Sequence, residues 1–266
     1  MMVFKREWKR AQKALWIWVL ALGGMTFLIM SIYPQFAENK EQLQELMKLY
    51  PEAMLKAFNI DQLGFDSALG FYAIEGYLFV TLFGSIYAAM LAGGILVKEE
   101  SDRTVEFLLS KPISRVQVVV QKAGAVALVL VVFNTVLSVI NYLGFQVAGD
   151  DHIDMVTFIL ISLAPLLLHL TFAALAFGLS AFFRKQRLVT SISLAIVLFS
   201  YFVSIVASIS DKLSKLKWIT PFEYVNSAYI IEQASIKPVY LIIMIIIMVI
   251  SVTAAIVKYM KKDLVI

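Results

Sequence analysis

Residues 14–33 read ALWIWVLALGGMTFLIMSIY, a run that contains no charged side chain. An α-helix rises about 1.5 Å per residue, so a helix of this length crosses the hydrocarbon core of a bilayer, which is about 30 Å thick. The run is longer than the apolar part of a typical signal peptide and lacks an A-x-A cleavage site. We therefore expect a transmembrane helix that the protein retains.

Five further apolar runs are long enough to cross a bilayer. Each is continuous rather than alternating and far exceeds the roughly 9–11 residues of a barrel strand, which favours helices. The sequence therefore predicts one transmembrane domain over residues 1–266. The predicted spans are residues 14–33, 69–97, 119–148, 155–183, 188–210 and 238–258.

The composition excludes several other classes of protein. Of the 266 residues, 61% are hydrophobic and 16% are charged, and the mean hydropathy is +0.83. A soluble domain has roughly 45–50% apolar and about 25% charged residues, so this chain is too apolar to be one. A net charge of only +4 at this apolar content also excludes disorder. The absence of Cys excludes disulfides, thiolate zinc sites and Cys nucleophiles.

Basic residues divide unequally between the two sides of the predicted bundle. One side holds 16 of the 23 Lys and Arg residues, within residues 1–13, 98–122, 184–187 and 258–266. The positive-inside rule makes this side cytoplasmic. The predicted fold class is an all-α membrane protein with six transmembrane helices and both termini in the cytoplasm. The basic clusters at span ends need no nucleic-acid partner.

The N-terminal segment predicts a short amphipathic helix over residues 1–13. Phe4, Trp8, Ala11 and Leu15 recur at helical spacing, and basic residues occupy the other faces. Such a helix is expected to lie in the membrane interface before the chain turns into the bilayer. The alternative is a basic flank that only orients the first span.

Three loops are predicted on the opposite side, over residues 34–68, 149–154 and 211–237. Pro51 is expected to divide the helical pattern of the first loop into two short helices. The last loop is long and rich in aromatic residues, and it is expected to return to the membrane as short helices covered by protein.

Four polar residues within the predicted spans are candidates for an intramembrane substrate path. Glu75 has two interpretations of equal weight. It is either a functional carboxylate or a carboxylate close enough to the outer membrane interface to stay hydrated. Asn134 and Asn141 lie on one helix face and are expected mainly to bond across helices. His169 is expected to be structural, because a metal site usually needs several ligands and the chain has only one other His. No metal site is predicted.

The loop after the second predicted span has the most informative pattern. Charged residues 98–106 are followed by apolar residues and then by Pro112, which ends the segment. The pattern predicts a short helix over residues 101–110 with an exposed apolar face. Such a face is expected to dock on a soluble partner or on the chain's own spans.

Residues 103–115, RTVEFLLSKPISR, together with Glu100 and Lys122, resemble the signature after the second span of ABC-2 type permeases, the membrane subunits of ABC exporters. Arg103 and Val105 replace the Gly and Leu that are common in the family, whereas the Thr-x-Glu and Pro-x-Ser-Arg features remain. Residues 221–224, PFEY, resemble a second family element before the last span.

The resemblance implies that residues 101–110 form a coupling helix, which docks on a separate soluble ABC ATPase subunit. Two permease copies, identical or different, and two ATPase subunits would form the working complex. ATP and Mg²⁺ would bind to the partner, since this chain has no phosphate-binding loop motif and is not expected to be an enzyme. Phe107 and Leu108 would be packing anchors and Arg103 and Glu106 a polar rim. The implied ATPase-contacting residues are Arg103, Thr104, Glu106, Phe107, Leu108, Pro112 and Arg115.

The sequence therefore favours the permease subunit of an exporter in the inner or plasma membrane of a bacterial-type cell. The scarcity of charge in the spans favours a hydrophobic or amphipathic cargo, such as a drug, a toxic peptide or a lipid-like molecule. The main alternative is a secondary transporter or channel that works without an ATPase. An intramembrane enzyme and an anchoring protein are further alternatives.

Overall fold

The computed structural model describes residues 2–47, 49–65, 67–102, 113–149 and 154–262. Regular structure in these residues is helical, and six helices are long and apolar enough to cross a membrane. This confirms the all-α architecture with six candidate spans. The six are α1 (Met2–Glu38), α5 (Ala68–Ala92), α7 (Arg115–Val147), α8 (Met155–Phe182), α9 (Gln186–Ile209) and α12 (Pro238–Lys261).

Shorter helices connect the spans. Pro51 lies directly before α3 (Glu52–Ala57), where it separates this helix from the preceding one, as expected for the first loop. The loop before the last span contains a 3₁₀-helix and two short α-helices. The connecting elements are α2 (Lys40–Met47), α3 (Glu52–Ala57), α4 (Ile60–Leu63), α6 (Lys98–Ser101), the 3₁₀-helix Asp211–Trp218, α10 (Pro221–Tyr224) and α11 (Ser227–Gln233).

The first helix runs without a break from Met2 to Glu38. The helix therefore has no break at residue 13, where the sequence predicts the boundary between an interfacial helix and a span. A helix of 37 residues is about 55 Å long, so α1 extends beyond the hydrocarbon core. Val3, Ala11 and Leu15 belong to one buried stripe that continues along the helix and packs on α7. Because the stripe is continuous, the N-terminal segment packs along α7 in line with the rest of α1.

The second span is shorter and less regular than predicted. It contains a π-helical turn over Tyr72–Gly76, and α-helix ends at Ala92 rather than at residue 97. Turns over residues 93–97 follow it. Gly93 and Gly94 lower helix propensity at this point, which accounts for the early end.

The helix α8 lies at the centre of the bundle. It packs on α5, α7 and α12. A Cβ atom at Gly178 would lie 3.1 Å from the Ser251 carbonyl oxygen of α12, so this glycine allows the close approach of the two helices. The helices α9 and α12 are peripheral, and their outer faces carry exposed apolar side chains such as Phe199, Phe202 and Ile250.

Both ends of the chain lie at one end of the bundle. The Phe4 amide donates to Gln121 Oε1 (3.3 Å), and the Arg115 guanidinium donates to the Lys262 carbonyl oxygen (2.7 Å). We define this as the basic end, which comprises residues 2–13, 93–102, 113–122, 183–187 and 258–262. The loops that contain α3, α10 and α11 lie at the opposite end.

Candidate functional site

The predicted coupling helix lies largely outside the described residues. Ser101 ends α6 and Asp102 follows it in a turn. Arg103, Thr104, Glu106, Phe107, Leu108 and Pro112 fall in residues 103–112, which the structure does not describe. The described chain on either side of this segment holds the basic end together through buried charges, and this arrangement is the candidate functional site.

Glu99 is at the centre of a buried charge cluster. Glu99 is 2% exposed. One of its carboxylate oxygens contacts the Arg6 guanidinium, and the other contacts the Lys122 ammonium. Lys122 is fully buried and also donates to the Ile95 carbonyl oxygen. The contacts therefore connect the start of α1, the turns and short helix α6 that follow the second span, and the start of α7.

Glu7 extends this cluster along α1. Its Oε1 atom accepts hydrogen bonds from Arg6 Nε (3.1 Å) and Nη2 (2.9 Å) and lies 3.7 Å from Arg10 Nη1. Arg6 thus bridges two buried carboxylates, Glu7 and Glu99. We call the set Arg6, Glu7, Glu99 and Lys122 the charge cluster.

A second ion pair connects the loop to the last span. Lys262 Nζ lies 2.8 Å from Glu100 Oε1 and donates to the Phe183 carbonyl oxygen at 2.8 Å. Both side chains are more than nine-tenths buried. The pair therefore joins α6, the α8–α9 hairpin and the end of α12.

Arg115 also contacts the end of the last span. Its Nη1 atom donates to the carbonyl oxygens of Met260 (3.2 Å) and Lys262 (2.7 Å). Cations are favourable beside the carbonyl groups that a helix end leaves unpaired. The Arg115 side chain, which the family resemblance assigns to the ATPase contact, is engaged within the chain.

The local sequence fixes the helix start beside Arg115. The Ser114 hydroxyl accepts a hydrogen bond from the Gln117 amide (3.2 Å), and Gln117 Oε1 accepts one from the Ser114 amide (3.1 Å). This reciprocal capping box begins α7 immediately after residues 103–112. The chain that leaves this segment is therefore directed into α7 from its first turn.

Buried charges of this kind depend on each other. Coulombic attraction between close charges offsets their desolvation only while every partner is present. Removal of one partner from a buried pair costs about 3–5 kcal/mol, because the other charge stays buried without compensation. The cluster and the Glu100–Lys262 pair therefore connect the helices through contacts that are costly to break one partner at a time.

Asn141 joins three elements inside the bundle. Its Oδ1 atom accepts from the Thr26 hydroxyl (2.7 Å), and its Nδ2 atom donates to the Tyr72 hydroxyl (2.7 Å). These bonds connect α7 to α1 and to the π-helical turn of α5. Asn134 is also buried, but its side-chain amide donates to the Leu130 carbonyl oxygen of its own helix (2.9 Å). The two residues share a face, and Asn141 has the interhelical bonds.

His169 is fully buried between α8 and α5. Its Nε2 atom is 3.1 Å from the Val80 carbonyl oxygen, and its ring packs 5.9 Å from that of Phe133. A Cβ atom at Gly84 would lie 2.3 Å from the ring, so glycine provides the space for it. Among the described residues, no group of three His, Cys, Asp or Glu side chains is placed to hold a metal ion.

Glu75 lies on the π-helical turn and is exposed in the isolated chain. It is therefore separated from the buried Asn141 network, although it is close to Tyr72 in sequence. The structure does not bring Glu75, Asn134, Asn141 and His169 together into a single polar path. Asn141 and His169 are instead placed in helix packing.

A small polar cavity lies at the opposite end of the bundle. Its volume is about 80 Å³, and its lining includes Tyr77, Thr81, Tyr201 and Glu223. The buried Glu223 carboxylate is 3.4 Å from Lys217 Nζ, so the wall carries a paired charge. Glu223 belongs to the PFEY element, which forms α10 within the loop before the last span.

Sequence reasoning indicates Lys122 through its resemblance to the family pattern but gives it no partner. It also gives Glu100 a place in that pattern without a partner, and it does not single out Glu7, Glu99 or Lys262. One sequence signal for the cluster is a single Lys at the start of an apolar run. The same side of the predicted bundle is otherwise basic but also contains acidic residues that could pair with this Lys. Which acid pairs with which base depends on helix packing.

Six apolar helices joined at one end by buried charges define a multi-pass membrane protein. A family model described as ABC-2 family transporter protein matches residues 1–264, whereas no curated protein matches the chain. The chain belongs to the ABC-2 transporter family. The match confirms the resemblance of the chain to ABC-2 type permeases. It implies a permease subunit of an ABC transporter, which acts in the membrane with an ABC ATPase subunit.

Proposed function

We propose that the chain is the permease subunit of an ATP-driven exporter and that its basic end binds the ATPase. Residues 101–110 would be the coupling helix, with Phe107 and Leu108 as packing anchors and Arg103 and Glu106 as the polar rim. ATP and Mg²⁺ would be held by the ATPase. Two permease copies would form the transport pathway between or within them.

The observation that carries this proposal is the position of the buried ion pairs on both sides of residues 103–112. Glu99 and Glu100 precede the segment, and Arg115 and Lys122 follow it. Arg6 of α1 contacts Glu99, and Lys262 at the end of α12 contacts Glu100 and Arg115. Lys262 also donates to the Phe183 carbonyl oxygen of the α8–α9 hairpin. A force applied to the segment would therefore reach most of the bundle through contacts that resist separation.

The charge distribution supports a cytoplasmic basic end. The described segments at this end carry 14 of the 23 basic residues of the chain, and Arg103 and Lys111 lie between two of these segments in the sequence. Orientation follows Lys and Arg in short loops. This is also the orientation that a cytoplasmic ATPase requires.

An apolar or amphipathic cargo fits the interior of the bundle. The buried residues of the spans are mainly apolar, and Asn141 and His169 are engaged in packing contacts. The buried Glu223 is paired with Lys217. Within the described residues these groups offer few free polar contacts for a sugar polymer.

Affinity purification from native membranes in a mild detergent tests the ATPase partner. We expect a stoichiometric soluble ATPase with the wild-type chain and its loss with Phe107→Asp. Leu49→Asp is the matched control, because Leu49 is 80% exposed at the opposite end. A stable permease oligomer without any ATPase would contradict the proposal and favour a secondary transporter or channel.

Cysteine labelling tests the orientation separately. The chain contains no Cys, so a single cysteine can be introduced without further changes. A membrane-impermeant maleimide added to intact cells should label Lys215→Cys and leave Lys9→Cys unlabelled until the membrane is opened. The reverse pattern would contradict a cytoplasmic basic end.

A further inference from the structure

A lateral groove lies at the basic end between α1 and α9. Both helices pack on α5, which forms the floor. The groove has a volume of about 190 Å³. Ala11 and Ala14 of α1 line one wall, and Met90 and Leu91 of α5 line the floor. The side of the groove nearest the spans is therefore apolar.

The mouth of the groove is basic. Arg10 and Lys98 line it, and Arg187 lines an adjoining cavity of about 420 Å³. Gln186 lines both cavities, which shows that they are neighbours. The carboxylate in the groove lining belongs to Glu7, which already accepts two hydrogen bonds from Arg6.

Two of the basic side chains remain available to a ligand. Lys98 and Arg187 form no ion pair with any residue in the described part of the chain. The helix α9 begins at Gln186, and its N-cap residue, Lys185, makes no capping hydrogen bond. The first amide N–H groups of α9 add to the preference for an anion beside these side chains.

We propose that this groove binds an anionic phospholipid of the leaflet at the basic end. The phosphate would lie between Arg10, Lys98 and Arg187, and an acyl chain would lie along Met90 and Leu91. Basic groups at span ends lie at the level of the headgroups, and each attracts anionic lipid. The proposal requires that the chain spans a membrane and does not depend on the ATPase partner.

A second copy of the chain fits the groove less well than a lipid. In a two-fold dimer centred here, the basic mouth of one copy would face the same mouth of the other. Glu7, Glu99 and Glu100 are buried and already paired within the chain, so of the described carboxylates at this end only that of Asp102 is exposed. Like charges would therefore meet across such an interface.

Native mass spectrometry of the purified chain tests the proposal. Phosphatidylglycerol and phosphatidylcholine are titrated separately, and inorganic phosphate is added as a competitor. The variant Lys98→Gln/Arg187→Gln removes two charges from the site. The matched control, Lys212→Gln/Lys215→Gln, removes two exposed charges from the opposite end.

We expect phosphatidylglycerol to bind the wild type more tightly than phosphatidylcholine. The site variant should lose about 20–30-fold in affinity for phosphatidylglycerol, since each basic residue contributes a factor of about five. The control should be unchanged. Equal affinity of the site variant and the control would overturn the proposal. Full competition by millimolar phosphate would indicate a free-phosphate site and would overturn the proposal. A change in the oligomeric state of the site variant would indicate an interface between copies and would also overturn the proposal.

A measurement on the wild-type chain does not depend on folding of the variant. A photoactivatable phosphatidylglycerol, incorporated into nanodiscs with phosphatidylcholine, should crosslink to residues 10–14, 90–98 and 186–191. Excess unlabelled phosphatidylglycerol should suppress these crosslinks. Crosslinks that are confined to the faces of α12 would contradict the proposal.

Discussion

Glu99 and Lys122 form an ion pair that is buried on both sides and joins α6, the short helix after the second span, to the start of the third span. The family signature lies between them in the sequence. Arg6 contacts the same carboxylate, so the first span shares the joint. The arrangement gives the loop a fixed attachment to the bundle, and the following predictions test this attachment and the packing around it.

Removing only the Glu99 carboxylate should destabilise the chain more than removing both members of the Glu99–Lys122 pair. Glu99→Gln alone leaves the Lys122 ammonium buried without its anion, and we expect a loss of about 3–5 kcal/mol in the free energy of unfolding. Lys122→Met should cost less, because Arg6 still pairs with the Glu99 carboxylate. The double variant should recover part of this loss, because both charges are absent. Denaturation in detergent, followed by helical circular dichroism, measures the cycle. Additive losses would show that the two residues do not interact.

The exposed pair Glu52–Lys56 provides a control for the buried pair. These side chains are 2.6 Å apart on α3 at the opposite end of the bundle. Glu52→Gln should leave the denaturation midpoint unchanged within error, since isolated surface ion pairs add little to stability. A large shift in this variant would mean that the assay reports charge removal in general.

Lys262→Gln should loosen the end of the last span. The variant leaves the Glu100 carboxylate buried without its cation and weakens the bond to the Phe183 carbonyl oxygen. We expect faster hydrogen exchange at residues 258–262 and 183–186. Lys261→Gln is the matched control, because that side chain is exposed. Equal exchange in the two variants would contradict a structural role for Lys262.

Gly84→Ala should destabilise the chain because the new methyl group meets the His169 ring. Overpacking of this kind costs about 1–3 kcal/mol. The additional change His169→Ala removes the ring and should recover part of the loss. Gly24→Ala is the control, since its Cβ atom would meet nothing within 4 Å, and alanine favours the helix by up to about 1 kcal/mol. Destabilisation by Gly24→Ala as large as that by Gly84→Ala would refute the steric explanation.

Asp154 should make the start of α8 sensitive to acid. Hydrogen bonds from the Thr157 hydroxyl and amide lower the pKa of this carboxyl below its usual value. A carboxyl with a lowered folded pKa stabilises the fold above its unfolded pKa, and this contribution is lost as the pH falls through the folded pKa. Hydrogen exchange at residues 155–158, corrected for the intrinsic rate, should increase as the pH falls below about 4. Asp154→Asn keeps a capping oxygen and should remove this pH dependence. An unchanged dependence in that variant would contradict the assignment.

Hydropathy was sufficient to predict the six spans, because the cost of placing charged groups in the bilayer restricts these segments to apolar residues. The ends of the spans were harder to predict from the sequence. The second span ends at Ala92, since turns replace the helix at Gly93 and Gly94. The start of α1 differs because its buried stripe packs on α7, and a long-range contact of this kind leaves no local signal.

The charge cluster could be predicted only in part. The family pattern points to Lys122, but its partner Glu99 is 23 positions away across the loop. Asn134 and Asn141 have identical side chains on one face, yet their partners differ because the π-helical turn brings Tyr72 to Asn141. The position of such a turn follows from tertiary packing rather than from composition.

Nucleotide-dependent labelling of the opposite end tests the central claim most directly. Ser208 lines the cavity at that end, and Ser208→Cys gives a single reporter in a chain without other cysteines. In the complex with its ATPase, we predict that ATP changes the maleimide labelling rate of this reporter. The change should disappear in the Glu99→Gln/Lys122→Met background while the ATPase remains bound. A full response to ATP in that background would contradict transmission through the charge cluster.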